Sequence, residues 1–136
     1  MLLTIEKVMI LKSVSIFSAT PESILADIAS TMEELTLQPG DVVIEKGDIG
    51  QEMYIIVSGK MRVHDGDKTI AFLRTRDVFG ELAALDPEPR MATVTANEET
   101  HLFKLRHDVL YEVMTEHIDV AKGIIRVLCQ RLRKPV

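Results

Sequence analysis

The chain has little cysteine, few aromatic residues and no excess of basic charge, and each shortage excludes a class of protein. One cysteine among 136 residues rules out an internal disulfide and is typical of a reducing compartment. Aromatic residues make up 4% of the chain, so an aliphatic core is expected. The net charge of −5 argues against nucleic acid as a partner, because nucleic-acid binding usually requires a basic face.

Signals for membrane insertion, export and metal chemistry are also missing. No apolar run approaches the roughly 20 residues that a membrane helix needs, and residues 1–7 lack the layout of a signal peptide. We therefore expect a cytoplasmic domain that does not insert into a membrane. The histidines are scattered without metal-ligand spacing, so no metal site is expected; they are His64, His101, His107 and His117.

Helical patterns flank a central run of strand patterns. Apolar residues recur at helical spacing after Thr4 and again after Thr20-Pro21-Glu22, where a hydroxyl, a proline and an acid mark a helix start. Strands are expected at residues 42–44, 52–58, 60–64, 69–73, 92–96 and 100–105, with a hairpin turn at Asp65-Gly66-Asp67. Short strands separated by glycine turns are typical of a barrel or jelly roll.

Two more helical stripes follow residue 106. The second stripe consists of Ala121, Ile124, Ile125, Leu128 and Leu132. Cys129 lies in the same apolar region, and we expect it to be a small buried hydrophobe. The chain is thus predicted to be a single domain over residues 1–136, of the mainly β α+β class. It would have N-terminal helices at 1–33, a β-barrel at 34–106 and C-terminal helices at 107–134.

The segment from Phe79 to Ala96 carries the candidate binding chemistry. It reads as a strand end, a turn at Gly80, one short helical turn, a proline-rich loop with Arg90, and another strand. A helix start favours an anion, and the planar guanidinium of Arg90 suits phosphate oxygens. Glu81 adds a hydrogen-bond acceptor, which suits a sugar hydroxyl. This set matches a small, singly charged phosphodiester on a ribose and not a polyphosphate with magnesium.

These residues resemble the phosphate-binding cassette of the cyclic-nucleotide-binding domain family. The family pattern is roughly F-G-E-L-A, a variable stretch, and then P-R-x-A-T/S-V-x-A. This chain has Phe79-Gly80-Glu81-Leu82-Ala83 and then Pro89-Arg90-Met91-Ala92-Thr93-Val94-Thr95-Ala96. The segments at 39–41 and 46–50, followed by 53–59, also look like the glycine-punctuated strands of the same barrel. From about Ser18 to Leu132, the resemblance implies a double-stranded β-helix (jelly-roll) barrel flanked by N- and C-terminal helices.

The resemblance implies a role for each cassette residue in 79–93. Arg90 would pair with the phosphate, and Glu81 would accept from the ribose 2′-hydroxyl. The full ligand-binding set is Gly80, Glu81, Leu82, Ala83, Arg90, Met91, Ala92 and Thr93. Within it, backbone N–H groups of Leu82, Ala83 and Ala92 would reach the phosphate, whereas the Thr93 hydroxyl either helps or faces solvent. Many members that favour cGMP carry a threonine where this chain has Met91, so cAMP is favoured and cGMP stays possible.

Two further groups are assigned by the same resemblance, each with an alternative. Val63, Ala71 and Leu73 would line the wall around the base and sugar, or else form plain barrel core. Leu128 and Arg131 would form a lid over the base, or else Leu128 packs on the barrel with or without ligand.

The function implied is that of a regulatory binding module and not an enzyme. It would bind a 3′,5′-cyclic nucleotide, use no cofactor, and signal through its C-terminal helices to an attached effector domain or a homodimer partner. The main alternative is a nucleotide-free interaction domain of the same fold that regulates an attached transporter or other effector. A nucleotide phosphodiesterase and a barrel that binds another small anion are further alternatives.

Overall fold

The computed structural model describes residues 2–133, which divide into two compact units. The strand unit is Met32–His107, and the helical unit consists of the described residues of Met1–Thr31 and Asp108–Val136. The helices are α1 (Thr4–Lys12), α2 (Glu22–Thr31), α3 (Glu81–Leu85), α4 (His107–Glu116) and α5 (Ile118–Leu132), with a 3₁₀ turn at Ser15–Phe17. None of these helices is long and apolar enough to cross a lipid bilayer.

Ten strands build the strand unit. They are β1 (Glu33–Leu37), β2 (Val42–Ile44), β3 (Ile49–Gly50), β4 (Glu52–Ser58), β5 (Lys60–Asp65), β6 (Lys68–Arg74), β7 (Val78–Phe79), β8 (Glu88–Pro89), β9 (Thr93–Ala96) and β10 (Thr100–Arg106). All pairings are antiparallel: one sheet has the order β1-β10-β4-β7, a second has the order β2-β9-β5-β6, and β3 pairs with β8.

The two four-stranded sheets share one core. Its buried residues come from both sheets and are Ile44, Tyr54, Ile56, Met61, Phe79, Val94, Ala96 and Leu102. β4 is buried on both faces, as its unbroken apolar run predicts. This arrangement of antiparallel sheets with flanking helices confirms the predicted fold class. The hairpin at Gly66 is also confirmed, with φ +57 at the glycine.

The buried core is mainly aliphatic, as the scarcity of aromatic residues predicts, and four aromatic side chains are buried within it. Phe17 and Phe103 are fully buried, and Tyr54 and Phe79 stack with ring centroids 5.1 Å apart. Each aromatic side chain buries more area than an aliphatic one, so these four contribute more to the core than their number suggests.

The stripe that the sequence predicts on α5 is buried only in part: Ile124 is buried, Ala121 and Leu128 are half-buried, and Ile125 and Leu132 are exposed. Val120, Gly123 and Ile124 are buried, whereas Ile125 is 59% exposed and Cys129 is exposed. The expectation of a buried cysteine is wrong. Apolar residues lie on more than one face of α5, so the spacing alone did not decide which face is buried.

The glycine inside α5 provides a test of its packing. A Cβ at Gly123 would lie 3.5 Å from the Ala19 Cβ, which is ordinary contact, so Gly123→Ala should stabilise the fold by about 0.5–1 kcal/mol. At Gly59 the φ is +113 and a Cβ would lie 2.7 Å from the Glu99 carbonyl, so Gly59→Ala should destabilise it. Urea unfolding of both variants measures the two free energies, and equal effects would contradict the packing described.

Candidate functional site

A cavity of about 440 Å³ lies beside α3 in the strand unit. Three consecutive pieces of chain form it: β7, the Gly80 turn with α3, and the loop that leads to Arg90. The lining residues are Val78, Phe79, Gly80, Glu81, Leu82, Ala83, Asp86, Glu88, Pro89, Arg90 and Met91. Its volume falls within the range of about 300–1,000 Å³ that is usual for ligand pockets.

The backbone of Arg90 is fixed by its pairing with β3 and the turn before it. In the β3–β8 pair, Pro89 lies opposite Ile49. The Arg90 N–H donates to the Asp48 carbonyl at 2.8 Å, and the Gly47 N–H donates to the Arg90 carbonyl at 2.9 Å. Both backbone groups of Arg90, its N–H and its carbonyl, are therefore bonded to the turn that precedes β3.

The Arg90 side chain is almost completely enclosed. It is 9% exposed, and its Nη2 donates to the Glu52 carbonyl at 2.7 Å and lies 3.6 Å from Glu52 Oε2. A Cβ at Gly50 would overlap Nε and Cζ of Arg90, and a Cβ at Gly80 would lie 2.6 Å from Nη1. The guanidinium thus occupies a space that exists because two glycines have no side chain.

The Gly80 turn directs the chain from β7 straight into α3. Gly80 has φ +75, a left-handed conformation that favours glycine. Glu81 is half-buried and Leu82 is 63% exposed, and both line the cavity. The Ala83 N–H donates to the Gly80 carbonyl at 3.1 Å, so that amide could reach an anion only as a shared donor.

An aromatic pair lies between the large cavity and a smaller one. Phe79 lines the large cavity, and Tyr54, stacked on it, lines a second cavity of about 120 Å³ together with Glu52 and Arg90. Burial, followed by the nearby Glu52 carboxylate, raises the pKa of Tyr54 to about 12, although Arg90 acts in the opposite direction. The smaller cavity is below the usual size of a ligand site.

Comparison with known proteins decides the family. The profile described as "Cyclic nucleotide-binding domain" matches residues 34–117. The chain belongs to this family. The cavity and Arg90 both lie inside the matched region, so the cyclic nucleotide-binding domain contains the site described above.

The relatives include transcriptional regulators and a kinase. Over 130 residues the chain is 28% identical to a CRP-like cAMP-activated global transcriptional regulator of Mycobacterium tuberculosis, covering 92% of this chain and 58% of that protein. It is 36% identical over 104 residues to a cGMP-dependent protein kinase of Toxoplasma gondii, covering 76% of this chain and 10% of the kinase. The chain therefore spans little more than half of the first relative's length.

A solved structure gives the same fold. The N-terminal domain of a transcriptional regulator from Streptomyces coelicolor A3(2) matches with a TM-score of 0.84 and 32% sequence identity, covering 91% of this chain and 90% of that one. The match covers nearly all of both chains, so the two share the fold over almost their whole length.

The structure brings most of the predicted cassette together. Six of the eight predicted residues line the large cavity: Gly80, Glu81, Leu82, Ala83, Arg90 and Met91. Ala92 and Thr93 do not line it, and the Thr93 hydroxyl accepts from the Lys46 N–H at 3.1 Å. The individual ligand contacts remain predictions.

The other two predicted groups lie elsewhere. Val63 pairs opposite Ala71, and Leu73 lies on the same β6 strand; none of the three lines the large cavity. Val63 and Leu73 pack against the core of the strand unit, which is the alternative that the sequence left open. Leu128 is half-buried on α5, and Arg131 donates to the Ser15 hydroxyl within the helical unit, so the lid role stays a prediction.

Two residues of the site were missed by sequence reasoning. Glu52 is 38 positions from Arg90, and no local pattern links them. Gly50 belongs to a glycine-punctuated segment that was noticed, but its contact with Arg90 depends on the β3–β8 pairing. Among residues 2–133, no group of three or more His, Cys, Asp or Glu side chains could hold a metal ion.

The raised pKa of Tyr54 leads to a prediction about alkaline pH. The folded pKa of about 12 exceeds the ordinary 10.0, so Tyr54 contributes stability below pH 10.0 and this contribution is lost as the pH rises toward about 12. In a Tyr111→Phe background, phenolate absorbance of the native protein should rise near pH 12, and that of the urea-unfolded protein near 10.0. Native titration near the ordinary value would contradict the burial of this phenol.

Proposed function

We propose that this domain binds a 3′,5′-cyclic nucleotide, preferably cAMP, and regulates an effector instead of catalysing a reaction. Arg90 would pair with the cyclic phosphate, and Glu81 would accept a hydrogen bond from the ribose 2′-hydroxyl. Membership of the cyclic nucleotide-binding family supports the ligand class, because the family profile describes a binding domain and not a catalytic one. A cytoplasmic location remains a prediction from the sequence.

The observation that carries this proposal is an enclosed guanidinium at the wall of a ligand-sized cavity. Arg90 is 9% exposed and has a carbonyl oxygen at 2.7 Å, but the Glu52 carboxylate is 3.6 Å away, beyond the range of a strong charge-assisted bond. A buried cation with an incomplete set of charged partners favours an additional anion. The planar fork of arginine fits the two free oxygens of a phosphodiester.

The preference for cAMP depends on Met91. This side chain is 86% exposed at the cavity, and its thioether offers no hydrogen-bond donor to a guanine. The relatives include both a cAMP-activated regulator and a cGMP-dependent kinase. The relatives therefore leave the base undecided, and the chemistry at position 91 supports adenine.

Binding of the nucleotide would be signalled to the effector through the C-terminal helices α4 and α5. A ligand shifts these helices only to the extent that it binds one arrangement better than another, commonly by about 1–3 kcal/mol. We retain Leu128 and Arg131 as lid candidates. Exposed apolar residues on α5, including Ile118, Ile125 and Leu132, offer a surface for an attached effector or for a second copy.

One observation favours the nucleotide-free alternative. Arg90 already donates to the Glu52 carbonyl, so it could serve only to hold β8 against β4. In that case the cavity would hold no nucleotide, and the domain would act by protein contacts alone. Calorimetry separates the two functions, because only a domain that binds nucleotide releases or absorbs heat when nucleotide is added.

The first test titrates the chain with cAMP, cGMP and cyclic di-GMP. We expect cAMP to bind more tightly than cGMP, and Arg90→Ala to lower cAMP affinity about tenfold to a hundredfold because a charge-assisted pair of about 1.5–3 kcal/mol is lost. Isothermal titration calorimetry measures both. If none of these ligands produced heat, the proposed nucleotide binding would be wrong and the nucleotide-free interaction domain would be favoured.

Glycine variants provide matched controls for this test. Gly50→Ala keeps Arg90 but pushes a Cβ into its guanidinium, so cAMP affinity should fall although the charge is retained. Gly123→Ala makes the same chemical change on α5, where the new Cβ meets ordinary contact, and should leave affinity unchanged. If Gly50→Ala binds as well as the wild type, the position of Arg90 is not important for binding.

The role of Glu81 is tested with two sugars. Glu81→Gln removes the anionic acceptor and keeps the side-chain shape, so it should weaken cAMP binding but hardly change binding of 2′-deoxy-cAMP. The comparison is made by competition against a fluorescent cyclic nucleotide, with wild type as reference. Equal losses for both sugars would remove Glu81 from the hydroxyl and assign it to another contact.

A further inference from the structure

His107 joins two parts of the strand unit at the point where α4 begins. Its backbone N–H donates to the Gln51 carbonyl at 2.7 Å. Its ring Nδ1 lies 2.5 Å from the Ala84 carbonyl oxygen, inside α3. A carbonyl can only accept, so Nδ1 carries the proton in this contact. His107 is thus hydrogen-bonded both to the residue before β4 and to α3.

The contact satisfies a carbonyl that α3 cannot satisfy itself. α3 has five residues and ends at Leu85, so the Ala84 carbonyl belongs to the last turn, which has no intrahelical donor. Ala84 is fully buried, and a buried carbonyl without a donor is costly. Histidine side chains near a helix end can cap such carbonyls.

The position of α3 determines one wall of the large cavity. Glu81, Leu82 and Ala83 all line that cavity and all belong to α3. A helix of this length is not stable by itself, because nucleation costs more than so few hydrogen bonds return. Its placement therefore depends on contacts with the rest of the strand unit, and the bond from His107 is one of them.

We propose that His107 is a positioning residue that holds α3 in place through the Ala84 carbonyl and so maintains the nucleotide cavity. His107 is also the first residue of α4. The effect on ligand affinity rests on the proposed function above. The effect on α3 itself does not, and it can be measured without nucleotide.

The affinity test compares three variants. His107→Ala should weaken cAMP binding about threefold to tenfold, the usual worth of one hydrogen bond. His107→Asn places an amide N–H close to the position of Nδ1 and should restore most of the affinity. His101→Ala is the control, because that ring faces Glu34 at 3.7 Å and lines no part of the cavity. Equal losses for the alanine and asparagine variants would overturn the proposal.

A second measurement uses the ligand-free chain. Hydrogen exchange of the amides in 81–86 should be faster in His107→Ala than in wild type, and close to wild type in His107→Asn and His101→Ala. His107→Leu, which keeps bulk but has no donor, replaces the alanine variant if that one does not fold. Unchanged exchange would overturn the proposal. If wild type binds no nucleotide, the proposed function fails, and this measurement still decides the role of His107.

Discussion

The enclosure of one guanidinium between two glycines is the constraint on which the site depends. Arg90 reaches the Glu52 carbonyl only because Gly50 and Gly80 leave room for Nε and Nη1. The same positions cannot carry a Cβ without moving the side chain. β-strand pairing brings these residues together, so the geometry of the site is a consequence of the sheet register and not of the cassette alone.

That constraint also sets the electrostatics of the neighbouring core. The stacked pair of Tyr54 and Phe79 lies beside Arg90, and the phenol is kept neutral by burial and by the Glu52 carboxylate. The neutral phenol offers the guanidinium no charged partner, and the Glu52 carboxylate lies 3.6 Å from Nη2. Under the proposed function, a phosphate at the cavity would give Arg90 a closer anionic partner.

Elements with a strict period could be predicted from the sequence, and contacts between distant segments could not. β4 and the β5–β6 hairpin were identified because unbroken and alternating apolar patterns leave one interpretation. α5 was placed, but its buried face was predicted only in part, because its apolar residues allow more than one stripe: Ile124 is buried and Cys129 is exposed. The contact between Arg90 and Glu52 could not be predicted from local sequence patterns, because the two residues are 38 positions apart. Family resemblance supplied the cassette, including Gly80, but the role of Gly50 beside the arginine required the pairing of β3 with β8.

The composition of the cavity wall argues for the charge of its ligand. One guanidinium, from Arg90, lines it together with three acidic side chains, those of Glu81, Asp86 and Glu88. A nucleoside polyphosphate would bring several negative charges against these carboxylates with a single cation to balance them, which disfavours binding. A cyclic phosphodiester carries one charge and can meet Arg90 alone, while its sugar hydroxyl turns an acidic neighbour into a hydrogen-bond acceptor. Under the proposed function, the same acidic residues would disfavour a polyphosphate more than a cyclic monophosphate, so selectivity against the abundant nucleotides of a cell would follow from the wall as well as from the arginine.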